Sequence, residues 1–401
     1  MLRFAVPALG ISLASPLMSN IDNAFVGQLS GTTALAAMSP GCVLSDYILY
    51  LFIFLPRATV GLVTRAKARG VEAAREELGR GLSAALYVGV ALTFMYQVMT
   101  PRILVAMGVA PALRPIASDY VRIRGLVAWA ALMQSVALSG LLATRDSLTP
   151  LKVVVFAAAL NFLGDWLCCA WPFRLGAAGA AAATAVSTLA GFALMLRALH
   201  KKHLLPQLRF LSWADLAPLL EYARPLAVII LTRFAGLTTM ALVAGYFGTI
   251  SQAAYQILAN ILVLFGLAGE PISQTAQTML PQLLDAGAAS SGRARRALKN
   301  LSLLAVGVGT VVGISAALTL LYGSGIFTRD AAVSAAVVGG GFPIVPICIA
   351  SLIMAQLIDG LNLAAREFNF VVRVSLATTL TQLIFLAAVV RWRLGLPFVF
   401  L

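Results

Sequence analysis

A chain of 401 residues that is 60% hydrophobic and only 11% charged is too apolar for a soluble globular protein, in which about a quarter of the residues are charged. Its composition indicates a polytopic membrane protein. The formal charge of +14 does not indicate nucleic-acid binding, because the basic residues lie mostly between apolar segments rather than along polar helices.

Eleven apolar segments have the length that a helix needs to cross a bilayer. In chain order the predicted spans lie near 4–26, 35–63, 80–99, 118–143, 151–170, 176–198, 216–246, 252–282, 298–322, 333–360 and 369–392. These segments make up most of the chain, so we predict an all-α protein that has the lipid bilayer as its main partner.

Basic residues are distributed unevenly between the predicted spans. The linkers after the even-numbered spans carry most of the lysines and arginines, whereas the opposite linkers carry only Arg102, Arg114, Arg174 and Arg329. Basic linkers remain on the cytoplasmic or equivalent side of a membrane. The N-terminus is therefore predicted to lie on that side.

The two halves of the sequence resemble each other. Ala143–Asp146, after the fourth predicted span, matches Ala364–Glu367 after the tenth, and Arg174–Gly176 matches Arg393–Gly395. Each half is expected to contain six spans and to begin on the same side. Such a duplication predicts two six-helix bundles in parallel orientation, related by a pseudo-two-fold axis along the membrane normal.

This repeat predicts the domain organisation. We expect an N-lobe at 1–200, a linker at 201–215 and a C-lobe at 216–401, with a central cleft between the lobes. A twelfth helix should begin just after Gly395, but the sequence stops at Leu401. We therefore expect that helix to be missing, either in a truncated chain or in a natural variant with eleven spans.

Five carboxylates lie inside apolar segments, where an ionised side chain costs roughly 2.5–3.5 kcal/mol or more. They are Asp22, Asp46, Asp165, Glu270 and Asp359. Residues of this kind indicate an ion or substrate path. For each one alone, pairing with a buried arginine or capping of a broken helix is an equally good interpretation.

Asn161 and Asp165 lie four residues apart, so they project from one face of the fifth predicted span. A carboxylate beside an amide suits a proton or a dehydrated hard cation such as Na⁺. Asp22 follows Pro7 and Pro16 in the first span and can complete this site, because prolines let a helix bend. The alternative is that Asn161 and Asp165 only form hydrogen bonds with neighbouring helices.

The second half places Arg233, Glu270 and Asp359 in long apolar runs. An unpaired arginine is costly in a bilayer. Arg233 is therefore expected to face the cleft, where it either neutralises one of the two acids or receives an anionic substrate. Gln274, beyond Pro271, is a candidate neutral donor, although helix–helix hydrogen bonding explains it as well.

The residues of the chain do not indicate an enzyme. The two histidines, His200 and His203, lie in a basic linker, and no nucleophile with a matching base is present. The sequence also lacks the phosphate-binding loop of an ATP-driven pump. We expect no cofactor and no stably bound metal, with energy supplied by an ion gradient.

Three stretches resemble a known family: Pro16–Gly27, Gly140–Pro150 and Asn161–Asp165. They are similar to the DinF-like branch of the multidrug and toxic compound extrusion (MATE) family, within the multidrug/oligosaccharidyl-lipid/polysaccharide flippase superfamily. The resemblance covers nearly the whole chain. It implies an N-lobe cation site at Asp22, Tyr120, Asn161 and Asp165. Trp166 departs from the proline that many relatives carry, which puts the geometry of the fifth helix in question.

Three further stretches look like plant and algal plastid-type members of that branch: Ser45–Tyr47, Tyr120–Gly125 and Gly269–Gln277. That subgroup includes carriers associated with salicylate and other organic anions. The resemblance thus implies the chloroplast envelope, with the plasma membrane as the other location. It also implies that Arg233 and Asp359 keep the charge pattern of these relatives in the C-lobe. Together with Glu270 and Gln274, they make up the predicted substrate site of the C-lobe cleft.

Together, these observations predict a secondary active antiporter. It would export a small organic molecule, a drug or xenobiotic or an organic anion, in exchange for H⁺ or Na⁺ by alternating access. We expect a monomer. The alternatives are a lipid-linked precursor flippase of the same superfamily, a membrane receptor that does not transport, and an inactive truncated carrier.

Overall fold

The computed structural model describes residues 2–29, 32–170, 173–208, 210–281, 291–323 and 331–400. These residues are almost entirely helical, which confirms the predicted all-α class. Arg329 and Leu401, used above for the topology and for the end of the chain, lie outside the described residues.

The described residues form fifteen α-helices. In chain order they are α1 Leu2–Leu29, α2 Thr32–Leu51, α3 Phe54–Lys67, α4 Val71–Ala106, α5 Arg114–Gly125, α6 Ala128–Ala143, α7 Leu148–Asp165, α8 Ala177–Lys201, α9 Trp213–Tyr246, α10 Thr249–Gly266, α11 Glu270–Met279, α12 Ser291–Tyr322, α13 Ala331–Gly341, α14 Ile344–Ala365 and α15 Phe368–Arg391. A π-helical turn at Trp166–Ala170 follows α7, and short 3₁₀ turns occupy Leu267–Gly269 and Leu396–Val399.

The described residues contain most of the predicted spans. Among the described residues nine helices are long and apolar enough to cross a membrane, or ten if α5 and α6 form one span bent by 47°. Two further apolar helical stretches of 10–17 residues are Phe4–Ser19, which is a part of α1, and Ala331–Gly341. The second results from a break in the predicted span 333–360 at Pro343, because proline has no N–H group with which to continue a helix.

The chain divides into two compact units. The first is Val6–Ala223, and the second is Arg224–Leu401 together with the first residues of the chain. In the first unit α2 packs on α5, α4 on α6, and α7 on α8; in the second, α14 packs on both α11 and α12. Each unit therefore has its own helical core.

The backbone supports the internal repeat. Arg145 and Arg366 both adopt left-handed conformations, with φ of 65° and 62°, directly after α6 and α14. Arg174 and Arg393 both have φ of 51°. Residues other than glycine rarely adopt the left-handed backbone conformation. Two matched pairs of arginines in this conformation therefore indicate that the two halves share local structure as well as sequence.

The connection between α6 and α7 is held in place by two contacts of Asp146. The Asp146 carboxylate accepts a hydrogen bond from the Thr149 backbone N–H at 3.0 Å and so caps the first turn of α7. Lys202, just beyond α8, forms an ion pair of 2.6 Å with the same carboxylate. The start of α7 is thereby tied to the end of α8.

Close approach of α7 and α8 depends on a glycine. A Cβ atom built on Gly164 would lie only 2.8 Å from the Cβ of Ala183. Any larger residue at 164 would therefore push the two helices apart. The contact lies beside Asp165 on one helix and Thr184 on the other, so the packing of small residues brings these two polar side chains to the same level.

Candidate cation site and neighbouring polar clusters

Two acidic residues are buried together in the first unit. Asp22 of α1 is 5% exposed and Asp165 at the end of α7 is 0% exposed, and their carboxyl groups interact. The Thr184 hydroxyl of α8 donates to Asp22 Oδ2 at 3.1 Å. Asn161 Nδ2 donates to the Thr184 oxygen at 3.4 Å. Four oxygen-bearing side chains from three helices thus meet at one point.

The carboxylates of this cluster have few hydrogen-bond donors. Asp22 Oδ1 and both oxygens of Asp165 are buried without a hydrogen-bond partner among the described residues. Two ionised carboxylates side by side in such a place repel each other, and a shared proton or a small cation removes the repulsion. The oxygen donors suit a proton or a hard cation such as Na⁺.

The end of α7 accommodates the residue that departs from the family pattern. The Trp166 backbone N–H continues the helix, donating to the carbonyls of Phe162 and Leu163. A proline at this position has no N–H group and makes no such bond. The chain then forms the π-helical turn Trp166–Ala170, an irregularity that often occurs at functional sites.

Tyr120, the fourth residue of the expected cation site, is placed differently. Its hydroxyl lies 3.2 Å from Cys42 Sγ and accepts a hydrogen bond from Arg124 Nη1 at 3.1 Å. Among the described residues its contacts do not extend to either carboxylate of the buried pair. The structure therefore brings together Asp22, Asn161 and Asp165, and it places Tyr120 in an adjoining network.

This adjoining network is centred on Arg124. Its guanidinium forms an ion pair of 2.8 Å with Asp46 through Nη2, and Nη1 also donates to Ser45 Oγ at 3.2 Å. Asp46 is thus paired with an arginine, as the simpler interpretation of its sequence context proposed. Sequence reasoning did not assign Arg124, although it lies four residues after Tyr120 and hence on the same face of α5.

The second unit contains a different polar cluster. Arg233 of α9 forms an ion pair with Asp359 of α14, and their side chains are 43% and 27% exposed. Of the alternatives left open by the sequence, the structure thus selects Asp359 as the acid that Arg233 pairs with. Glu270 Oε1 accepts a hydrogen bond of 3.4 Å from Gln274 within α11.

Comparisons with known proteins identify the family. The family model MatE matches residues 7–167. The chain is 30% identical over 377 residues to Protein DETOXIFICATION 47, chloroplastic, of Arabidopsis thaliana, an alignment that covers 92% of this chain and 68% of the relative. The chain belongs to the MATE family. It is also 25% identical to Protein DETOXIFICATION 44, chloroplastic, of the same plant, over 92% of this chain and 72% of that relative.

Solved structures agree on the fold. A multidrug resistance MATE transporter of the MOP superfamily, in an outward-facing conformation, matches with a TM-score of 0.87 at 18% identity, covering 100% of this chain and 90% of that one. The chain therefore has the MATE fold and is a multi-pass membrane protein. Membership of a transporter family also confirms the expectation that it is not an enzyme.

One residue of the buried cluster in this MATE protein was missed by sequence reasoning. Thr184 lies in an alanine-rich helix and its hydroxyl also contacts the Ala180 carbonyl at 3.0 Å. A threonine bonded back to its own helix is common and carries no charge signature. Only the tertiary packing of α7 against α8 reveals that it connects Asn161 with Asp22.

Proposed function

We propose that this MATE transporter is a secondary active antiporter that exports a small organic molecule, preferably an anion, in exchange for H⁺ or Na⁺. The observation that carries the proposal is the buried Asp22–Asp165 pair, which has fewer hydrogen-bond donors than carboxylate oxygens. Neutralisation of this pair by a proton or cation changes the net charge inside a helical bundle. Such a change supplies the differential binding energy that a conformational transition requires.

The helix that carries Asp22 is suited to respond. Pro7 and Pro16 lie inside α1, and each interrupts the hydrogen-bond ladder where the helix can bend. In the proposal, cation binding at Asp22 and Asp165 pulls the end of α1 towards α7. Release of the cation restores the repulsion between the carboxylates and favours the other position of α1. Thr184, which accepts a hydrogen bond from Asn161, orients the Asp22 carboxylate, and Tyr120 contributes to the neighbouring Arg124 network.

The preference for an anion rests on the second unit and on the relatives. Arg233 is half exposed and its single described partner is Asp359, so opening of this pair would present a guanidinium to a solute carboxylate. Glu270 and Gln274 provide further polar contacts in the same unit. Both named relatives are chloroplastic proteins, and we extend that location to this chain as the plastid envelope. The division into an N-lobe at 1–200, a linker at 201–215 and a C-lobe at 216–401 is also part of the proposal.

Reconstitution in liposomes tests the proposal. Movement of salicylate and of a cationic dye is followed under an imposed pH gradient and, separately, under a Na⁺ gradient. Wild type is compared with Asp165→Asn, and with Asp119→Asn as a matched control at an exposed acid. We expect gradient-driven movement that Asp165→Asn abolishes and Asp119→Asn preserves.

The two gradients and the two solutes separate the parts of the proposal. Movement under only one gradient identifies the coupling ion, and the preferred solute decides the role of Arg233. Unchanged movement in Asp165→Asn would reject the coupling site. Lack of movement of either solute in the folded wild-type protein would reject the antiporter.

A further inference from the structure

A cavity of about 470 Å³ in the first unit is not explained by the cation site. Its polar lining consists of Ser15, Ser19, Asp46, Tyr50, Arg124 and Ser135. The volume falls in the range of roughly 300–1,000 Å³ that is typical of small-molecule sites. It combines one ion pair with four hydroxyl groups, and apolar residues complete the wall.

The ion pair at this cavity faces the open space. Asp46 is 38% exposed at its side chain and Arg124 is 17% exposed, although both lie in helices of a packed bundle. A guanidinium has five N–H groups. The described residues provide three partners for Arg124, namely Ser45, Tyr120 and Asp46. Two N–H groups are therefore left without a partner among the described residues.

Three contacts hold the guanidinium in a fixed orientation. The Tyr120 ring lies beside it, with the guanidinium carbon 5.7 Å from the ring centroid, and the Tyr120 hydroxyl and Ser45 both accept from Nη1. A fixed planar guanidinium recognises a carboxylate by two parallel hydrogen bonds. The described contact of Asp46 with the guanidinium is a single one, between Oδ1 and Nη2. A carboxylate that forms two parallel hydrogen bonds can therefore compete with Asp46 for Arg124.

We propose that Arg124 forms a subsite for the carboxylate of a small organic anion in this cavity, with Asp46 as the internal competitor that the anion displaces. The hydroxyl groups of Ser15, Ser19 and Tyr50 provide further polar contacts, whereas the Ser135 hydroxyl already donates to the Ala131 carbonyl at 3.0 Å. This inference rests on the proposed transport function and adds a binding residue for its anionic solute. It places a carboxylate subsite in the first unit, in addition to the one proposed at Arg233 in the second.

The test compares two probes of the same shape and different charge. Binding of radiolabelled benzoate and of neutral benzamide is measured on the purified full chain in detergent. Wild type is expected to bind benzoate more tightly than benzamide. Arg124→Gln should weaken benzoate binding at least about tenfold, because charge-assisted hydrogen bonds are lost, and should change benzamide binding little.

Three variants control for a purely structural ion pair. Arg122→Gln makes the same change at an exposed arginine of the same helix and should bind benzoate as wild type does. Asp46→Asn removes the competitor and should tighten benzoate binding about threefold or more. Arg124→Lys keeps the charge but not the planar donors, so it should restore only part of the affinity.

The sign of the Asp46→Asn effect decides between the two roles. If the pair only stabilises the fold, Asp46→Asn weakens benzoate binding, as Arg124→Gln does, and the subsite is rejected. If Arg124→Gln does not fold, the double variant Arg124→Gln/Asp46→Asn removes both charges together. Retention of wild-type benzoate affinity by that double variant also overturns the proposal.

Failure of this inference is distinguishable from failure of the transport function. Gradient-driven dye movement in liposomes, together with wild-type benzoate binding in Arg124→Gln, would overturn the subsite and leave the antiporter standing. Benzoate binding that depends on Arg124, without gradient-driven movement of any solute, would support the subsite and overturn the antiporter.

Discussion

The two units place acids in apolar helices in opposite ways. In the first, Asp22 and Asp165 lie together, 5% and 0% exposed, and several of their oxygens have no hydrogen-bond donor among the described residues. In the second, Asp359 is neutralised by Arg233, and the side chains of both residues are partly exposed. The first arrangement changes its charge when a proton or cation binds, whereas the second is neutral in itself.

This difference explains why an acid in an apolar helix does not by itself indicate one function. An ion pair hides its charge within the protein, and binding of an anion to it requires that the pair open. A pair of buried carboxylates is stabilised when a proton or a cation removes the repulsion between them. Experiments that change one charge at a time should therefore give opposite results in the two units.

The largest effect on stability is expected in the second unit. Arg233→Gln leaves the Asp359 charge in an apolar helix without its partner, and an uncompensated charge destabilises the fold to the extent that it is buried. Because both side chains are partly exposed, we expect a loss of about 2 kcal/mol in the free energy of unfolding. Thermal unfolding in detergent measures it. The double variant Arg233→Gln/Asp359→Asn should recover most of the loss; a double variant as unstable as the single one would contradict the pairing.

The opposite sign is expected in the first unit. Asp165→Asn removes one of two repelling charges, and its amide can donate to Asp22. We expect a gain of about 1 kcal/mol at pH 8. The same thermal measurement applies, with Asp119→Asn as the control that should not change stability. A loss as large as that of Arg233→Gln would show that Asp165 is an ordinary structural acid.

A smaller effect, on transport, is expected from a change at the proposed cation site. Thr184→Val removes the hydroxyl that links Asn161 with Asp22 and keeps the size of the side chain. Loss of these two hydrogen bonds, about 1 kcal/mol in total, predicts a roughly fivefold slower gradient-driven efflux. Thr184→Ser retains the hydroxyl and should transport at nearly the wild-type rate. Thr238→Val, at an exposed back-bonded threonine of the other unit, is the matched control, and an equal reduction there would point to a general effect on helices.

Much of the buried site was predictable because it depends on local spacing. Asn161 and Asp165 are four residues apart in an apolar run, and this places them on one face whatever the tertiary fold. Asp22 was predicted because a lone acid in an apolar span is costly. Thr184 was not predicted, since its role depends on the approach of α7 to α8 that Gly164 permits.

The contacts of Arg233 and Arg124 also depend on tertiary packing, which the sequence alone does not predict. The sequence offered Arg233 two acids, Glu270 and Asp359, and the choice depends on how α9 packs relative to α11 and α14. Arg124 was read only as part of a motif, because nothing in its sequence context indicates a cavity beside α5. Spans were predicted from hydrophobicity, which does not detect the break at Pro343 inside the predicted span 333–360.

A third charge pair, at the surface end of the first unit, shows how location alters the result. Asp146 and Lys202 lie outside the spans, with 14% and 38% of their side chains exposed. Burial alone would raise the pKa of Asp146, but the hydrogen bonds from Lys202 and Thr149 outweigh it and hold the pKa below its usual value. The lowered pKa means that the folded state favours the ionised acid more than the unfolded state does.

The pair therefore stabilises the protein above the ordinary aspartate pKa, near pH 4, and this contribution is lost as the pH falls through the lower pKa of the folded state. Because Lys202 is more than a third exposed, we expect only about 0.5 kcal/mol. Thermal unfolding between pH 7 and pH 3 should show a loss in wild type that is smaller in both Asp146→Asn and Lys202→Gln. Equal pH dependence in all three proteins would mean that solvent screens this pair completely. In that case the larger effects predicted for Arg233 and Asp165 would depend on their apolar surroundings and not only on their charges.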